Sequence, residues 1–123
     1  MTVRALDHVN IVTADLAAST AFYREVLGLA EGPRPAFPFP GAWLYCGERP
    51  VVHLMVRGSA SGGGGDTGAI DHVAFEAEDF DGFRQRLEAR GIAHETRIVP
   101  GGAMRQIFLF DPDGVRIELN FRR

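Results

Sequence analysis

Between residues 6 and 16 the chain reads LDHVNIVTADL, an alternation of apolar and polar side chains that returns at 70 to 80 as IDHVAFEAEDF. A period of two predicts a strand with one face buried. Each segment then reaches an aspartate, Asp15 or Asp79, suited to cap a following helix. Beyond the aspartates the period lengthens. Leu16, Phe22, Tyr23, Val26 and Leu27 recur at helical spacing, as do Phe80, Phe83 and Leu87. Both helices are expected to stop at a glycine, Gly28 or Gly91, in a left-handed exit that hands the chain to an extended segment.

The duplication continues at a constant offset. WLYCGERPVVHLMV at 43 to 56 aligns without a gap to FLFDPDGVRIELNF at 108 to 121, which matches Trp43 with Phe108 and His53 with Glu118. DPDG at 111 to 114 predicts a turn between two apolar strands, with Gly114 supplying a positive φ. CGER at 46 to 49 is a weaker turn sequence, and Pro50 after it is acceptable only at the start of a strand. Each copy therefore reads strand, helix, irregular segment, strand, hairpin, strand. The copies span 1–57 and 69–123, and GSASGGGGDTG at 58 to 68 joins them as a flexible linker. One copy alone would expose an apolar sheet face, so both are expected to pack as a single domain over 1–123.

Strand parity sorts the chemistry. His8 and Asn10 share a face opposed to Asp7, Val9 and Ile11; His72, Ala74 and Glu76 oppose Val73 and Phe75. Glu118 and Asn120 oppose Ile117, Leu119 and Phe121, and His53 with Met55 opposes Val52 and Leu54. If the sheets curve around a shared hollow, His8, His53, His72 and Glu118 converge in it. Two neutral imidazoles and a carboxylate suit one divalent ion, Zn, Fe, Mn, Co or Ni, and leave positions open for water or substrate. His94 has no partner in the repeat and is read as a surface residue.

Composition narrows the classes. At 123 residues, 46% hydrophobic and 24% charged, the chain has the make-up of one globular domain. A net charge of -3 offers no positive field for nucleic acid or anionic lipid. All 13 basic residues are arginine, which removes lysine chemistry but leaves clamps for carboxylates. The lone Cys46, the absence of a signal pattern at the N-terminus and the absence of a membrane-length apolar run lead us to expect a cytoplasmic protein.

DHVNIVTADLAASTAFYREVLGL and FLFDPDGVRIELNF resemble the vicinal oxygen chelate superfamily, which includes glyoxalase I, extradiol dioxygenases, fosfomycin-resistance proteins and bleomycin-binding proteins. The resemblance implies an α+β fold of two paired βαβββ modules forming a cupped, half-barrel mixed sheet with helices outside. It also implies a homodimer and a divalent metal in the cup. Carried onto this chain, the metal positions are His8, His72 and Glu118, with His53 as a fourth ligand or a general base. The function implied is a metal-dependent lyase or isomerase that acts on a small substrate with vicinal oxygens through an enediolate-like intermediate, with His53 or Glu118 moving the proton. An Fe(II) extradiol dioxygenase and a non-catalytic small-molecule binder are the alternatives. A fosfomycin thiol transferase is disfavoured by the lack of lysine and by Phe108 in place of that branch's tyrosine. For substrate contact the candidates are Phe37, Phe39 and Trp43 near the cup mouth, with Phe108, and Arg105 for a substrate carboxylate.

Overall fold

A computed structural model of the chain describes residues 1–57 and 67–122, which fall into two compact units, Met1–Gly64 and Gly65–Arg123. Most of the glycine-rich linker, 58–66, lies outside the described residues. The first unit runs β1 (Val9–Thr13), α1 (Leu16–Ala21), β2 (Ala30–Gly32), β3 (Gly41–Cys46) and β4 (Arg49–Val56). The second runs β5 (Val73–Glu76), α2 (Phe80–Ala89), β6 (Glu95–Ile98), β7 (Met104–Phe110) and β8 (Arg116–Arg122). Each is therefore a βαβββ unit of the α+β class, and the fold expected from the repeat is present in both copies.

The sheets share one topology, β1-β4-β3-β2 and β5-β8-β7-β6, in which the outer β1 and β5 run parallel to β4 and β8 while the other pairs are antiparallel. A parallel neighbour needs a crossover, and the helix supplies it. The helix-side faces form the cores. Ile11, Leu44, Val52 and Leu54 are buried with Phe22, Tyr23 and Val26 in the first unit; Ile107, Leu109, Ile117, Leu119 and Leu87 are buried in the second. Phe80 and Phe83 meet Phe121 edge-on at 5.4 and 5.6 Å, a favoured aromatic geometry that seats α2 on β8.

The caps follow the sequence reading. Asp15 accepts from the Ala18 amide and Asp79 from the Gly82 amide, each at 3.0 Å. Gly28 and Gly91 leave their helices at positive φ, 81° and 66°. Three features differ. The first helix does not stay α-helical: after Ala21 it continues as a π-helical segment, Phe22–Val26, whose Phe22, Tyr23 and Val26 are all buried. Two short edge strands, β2 and β6, occupy the segments read as irregular, and their exposed side chains explain why no alternation marks them. Finally, the strands begin at Val9 and Val73, so His8 and His72 stand at the strand mouths and not in mid-strand.

Asp79 holds a left-handed φ of 65°, unusual for a residue with a side chain, and a Cβ on Gly82 would collide with its carboxylate. Asp15→Ala should cost about 1 kcal/mol through the lost cap. Asp79→Ala should cost a similar amount, because parent and variant both hold the left-handed backbone, whereas Asp79→Gly should lose less, since glycine holds it without strain. Urea unfolding of the three variants checks the order; equal losses for Asp79→Ala and Asp79→Gly would show that the Asp79 conformation carries no strain.

Candidate functional site

In the second unit the parallel register sets Ala74 against Glu118 and the antiparallel register sets Glu118 against Phe108, so these side chains share the face away from α2. His72, one step before β5, reaches this face: its Nε2 lies 3.5 Å from Glu118 Oε1. The other ring nitrogen is engaged, as Nδ1 lies 2.8 Å from Asp71 Oδ2, and the Arg116 guanidinium donates to the same oxygen at 3.1 Å. Nδ1 thus carries the hydrogen, and in the neutral form of His72 an Nε2 lone pair faces a carboxylate oxygen. In that form two acceptors face each other across the gap, a conflict that a proton on Nε2 or a metal ion between them resolves.

The gap has the right size for a metal. Two ligands at about 2.0–2.1 Å from a tetrahedral ion stand roughly 3.3 Å apart. Glu118 is held from behind as well: the Asn120 amide donates to its Oε2 at 2.9 Å, and Gln106 donates to Asn120 Oδ1 at 3.0 Å. Such outer partners fix the orientation of metal ligands. The residues present fit a divalent ion by donor chemistry and by spacing.

The first unit repeats half of this arrangement. His8 Nδ1 lies 2.6 Å from Asp7 Oδ2, which leaves Nε2 free. Where the second unit has Glu118 this one has His53, and its ring stacks on His8 with centroids 3.7 Å apart and planes 12° from parallel. Trp43 stacks on the other side of His53 at 3.9 Å and 11°. His53 Nε2 donates to the Pro50 carbonyl at 3.0 Å, so the lone pair of its neutral form is on Nδ1. Burial and the neighbouring His8 charge hold the His53 imidazole below the usual histidine range, with Arg34 adding to this and the Pro50 carbonyl opposing it. Parallel stacked rings send their in-plane lone pairs side by side and not toward one point, which suits His53 to proton transfer better than to sharing an ion with His8.

Phe37, Phe39 and Trp43 gather on the same face of the first unit, with Phe37 stacked on Phe39 at 5.2 Å and 6.4 Å from Trp43. Phe108 is buried between the Arg97 and Arg116 guanidinium groups, 4.8 and 4.5 Å from its ring centre. Arg105 is a correction to the sequence reading. Its register partner is Phe121, so it lies on the α2 side with its guanidinium 4.2 Å from the Phe80 ring, on the face opposite Glu118. Sequence reasoning missed Asp7, Asp71 and Gln106 as partners of the candidate ligands. A signal existed for the first two, since an aspartate precedes the histidine in both copies. Among the described residues no three His, Cys, Asp or Glu side chains gather at one ion-sized position; His8 belongs to the first unit and the His72–Glu118 pair to the second.

The chain matches the model of the Glyoxalase/Bleomycin resistance protein/Dioxygenase superfamily over residues 5–119. It is 31% identical to the glutathione transferase FosA of Serratia marcescens over 95% of this chain and 80% of that one. It is also 31% identical to the lactoylglutathione lyase of Salmonella typhimurium, over 91% and 88%. Among solved structures, a glyoxalase family protein from Bacillus anthracis superposes with a TM-score of 0.79 at 26% identity, covering 100% of this chain and 98% of the other. A glyoxalase/dioxygenase from Nostoc punctiforme gives a TM-score of 0.78 at 21% identity, over 98% and 92%, and shares the fold. With the repeated βαβββ units and the duplicated Asp-His-Val openings, the match over nearly the whole length makes this chain a member of the glyoxalase/bleomycin resistance/dioxygenase superfamily.

Proposed function

We propose that the protein is a metal-dependent lyase or isomerase of glyoxalase type, acting in the cytoplasm on a small substrate with vicinal oxygens. The observation that carries this reading is the 3.5 Å approach of His72 Nε2 to Glu118 Oε1, each donor backed by its own outer partner. His72 and Glu118 would hold one divalent ion, and the family resemblance adds His8 as a further ligand. When bound, the ion supplies Lewis acidity to a substrate oxygen. His53, neutral and with its Nδ1 lone pair free, takes a proton from the carbon beside the substrate carbonyl and returns it, and Asp7 and Asp71 keep the two ligand imidazoles in the tautomer that presents Nε2. Trp43, Phe37, Phe39 and Phe108 line the substrate's surroundings.

Two histidines and one glutamate are also the donor set of non-haem Fe(II) oxygenases. The metal itself separates the two readings. Iron in the purified protein, with oxygen uptake on catechols, marks the dioxygenase; Zn, Ni, Co or Mn with inert catechols marks the lyase.

In calorimetric titrations His72→Ala and Glu118→Ala should each abolish stoichiometric metal binding while the fold survives. One metal per chain at unchanged affinity in both variants would overturn the assignment. His53→Ala should retain the metal and lose turnover by at least about a hundredfold, the usual worth of a positioned acid-base group.

The lowered His53 pKa has a consequence for metal-free stability. Above about pH 6.5 the group is neutral in both folded and unfolded chains and contributes no pH dependence. As the pH falls below that value the unfolded chain takes up the proton first, so stability is lost until the lower folded-state pKa is passed. His53→Gln should therefore lose less stability than the parent between pH 7.5 and pH 5.5 in urea titrations. Parallel curves would contradict the lowered value.

The protein is further expected to be a homodimer. Leu6, Ile70 and Ile98 are 80%, 63% and 67% exposed, and the first two occupy matched positions of the repeat. A twofold contact is the commonest way for a soluble chain to cover such residues. Light scattering should give about twice the 13.4 kDa chain mass; a monomer with full metal content would refute it.

A further inference from the structure

The open face of the first unit holds a cationic group that the metal reading leaves unused. Asn10, Arg34, Phe37, Phe39, Trp43 and Met55 line a cavity of about 180 Å³. At roughly 30 Å³ per water that is space for about six waters, enough for one ring with a small head group. It is smaller than the roughly 300–1,000 Å³ of drug-sized sites.

Arg34 is fixed in the wall of this cavity. Its guanidinium carbon lies 5.2 and 5.4 Å from the Phe37 and Phe39 ring centres, and its Nη2 donates to the Phe39 carbonyl at 3.3 Å. A side chain on Gly41 would stand 3.0 Å from that Nη2, so the glycine leaves room for the guanidinium against β3. Three other arginines spend their charge on a nearby carboxylate, Arg97 on Glu95, Arg116 on Asp71 and Arg122 on Glu76, and Arg105 lies against the Phe80 ring on the helix side. Arg34 has no carboxylate partner among the described residues, and its Nε is closed off from solvent without an acceptor. A held guanidinium with most of its donors unspent, set beside three aromatic rings, is a receptor for an anion with a flat apolar body. An aromatic wall alone would also welcome cations, but the Arg34 charge turns them away.

We propose that Arg34 is the anion receptor of the substrate site and that the substrate class is a small planar carboxylic acid, its carboxylate on Arg34 and its body against Trp43 and the Phe37–Phe39 pair. This deepens the functional reading and rests on it for the reaction that follows binding, whereas binding itself is separable. Arg34 and Trp43 belong to the first unit; His72 and Glu118 belong to the second.

Trp43 is the single tryptophan, so its emission reports directly on the cavity. The full-length protein is titrated with three probes of nearly one shape: benzoate, benzamide and benzamidinium. Benzoate should give a saturable change in emission, with benzamide at least about tenfold weaker and benzamidinium weaker still, since charge-assisted hydrogen bonds are about twice as strong as neutral ones. Arg34→Gln and Arg34→Met should each weaken benzoate at least about tenfold and leave benzamide unchanged, and Arg34→Lys should keep part of the preference. Circular dichroism establishes that each variant folds, and the discrimination among probes by the parent protein needs no variant. Equal affinity for benzoate and benzamide, benzamidinium binding as tightly as benzoate, no saturable change with any probe, or unaltered benzoate binding in both neutral variants would each overturn the proposal. A chain that binds its metal through His72 and Glu118 yet fails this discrimination loses the substrate class and keeps the metal reading. The reverse outcome keeps the acid receptor and discards the metal.

Discussion

In each unit the first strand lies parallel to the last, and the register of that ladder decides which polar groups meet. Ala74 beside Glu118 brings the residue at the mouth of β5, His72, within reach of the carboxylate. Asn10 beside His53 brings His8 onto the His53 ring. A slip of one residue would turn Glu118 into the core and Leu119 out of it. The buried set of Ile117, Leu119 and Phe121 prevents that slip, so hydrophobic packing on the helix side holds the chemistry on the other side in place.

The two units use this shared frame differently. The second carries a polar relay, from Gln106 through Asn120, Glu118 and His72 to Asp71 and Arg116. The first replaces the glutamate with His53 and surrounds it with rings, so its open face is flat, apolar and cationic at one corner. Divergence at one matched pair, His53 and Glu118, accompanies a polar face in the second unit and an aromatic one in the first.

Much of the frame is written in local patterns. The repeat, both caps, both glycine exits and the DPDG hairpin depend on near neighbours, and the structure agrees with each. What escaped depends on contacts distant in sequence or on weak burial. Edge strands β2 and β6 expose most of their side chains and so carry no alternation. The π-helical widening after Ala21 is set by how Phe22, Tyr23 and Val26 fit the sheet, which no spacing rule records. Arg105 lies three residues before Phe108, so strand parity puts it on the helix side, a relation that depends on where β7 begins. Arg34 stood in a proline-rich segment with no period at all, and only the fold sets it among the rings.

Each candidate ligand histidine receives its orienting carboxylate from the residue immediately before it, Asp7 for His8 and Asp71 for His72. Metal-binding histidines can also take this partner from a distant strand, in which case the tautomer depends on the completed tertiary fold. Here the instruction is carried by a dipeptide. A duplicated gene segment therefore brings with it a donor already tuned, and the lineage can revise loops, substrates and strand partners around that dipeptide without having to reinvent how the imidazole presents its lone pair.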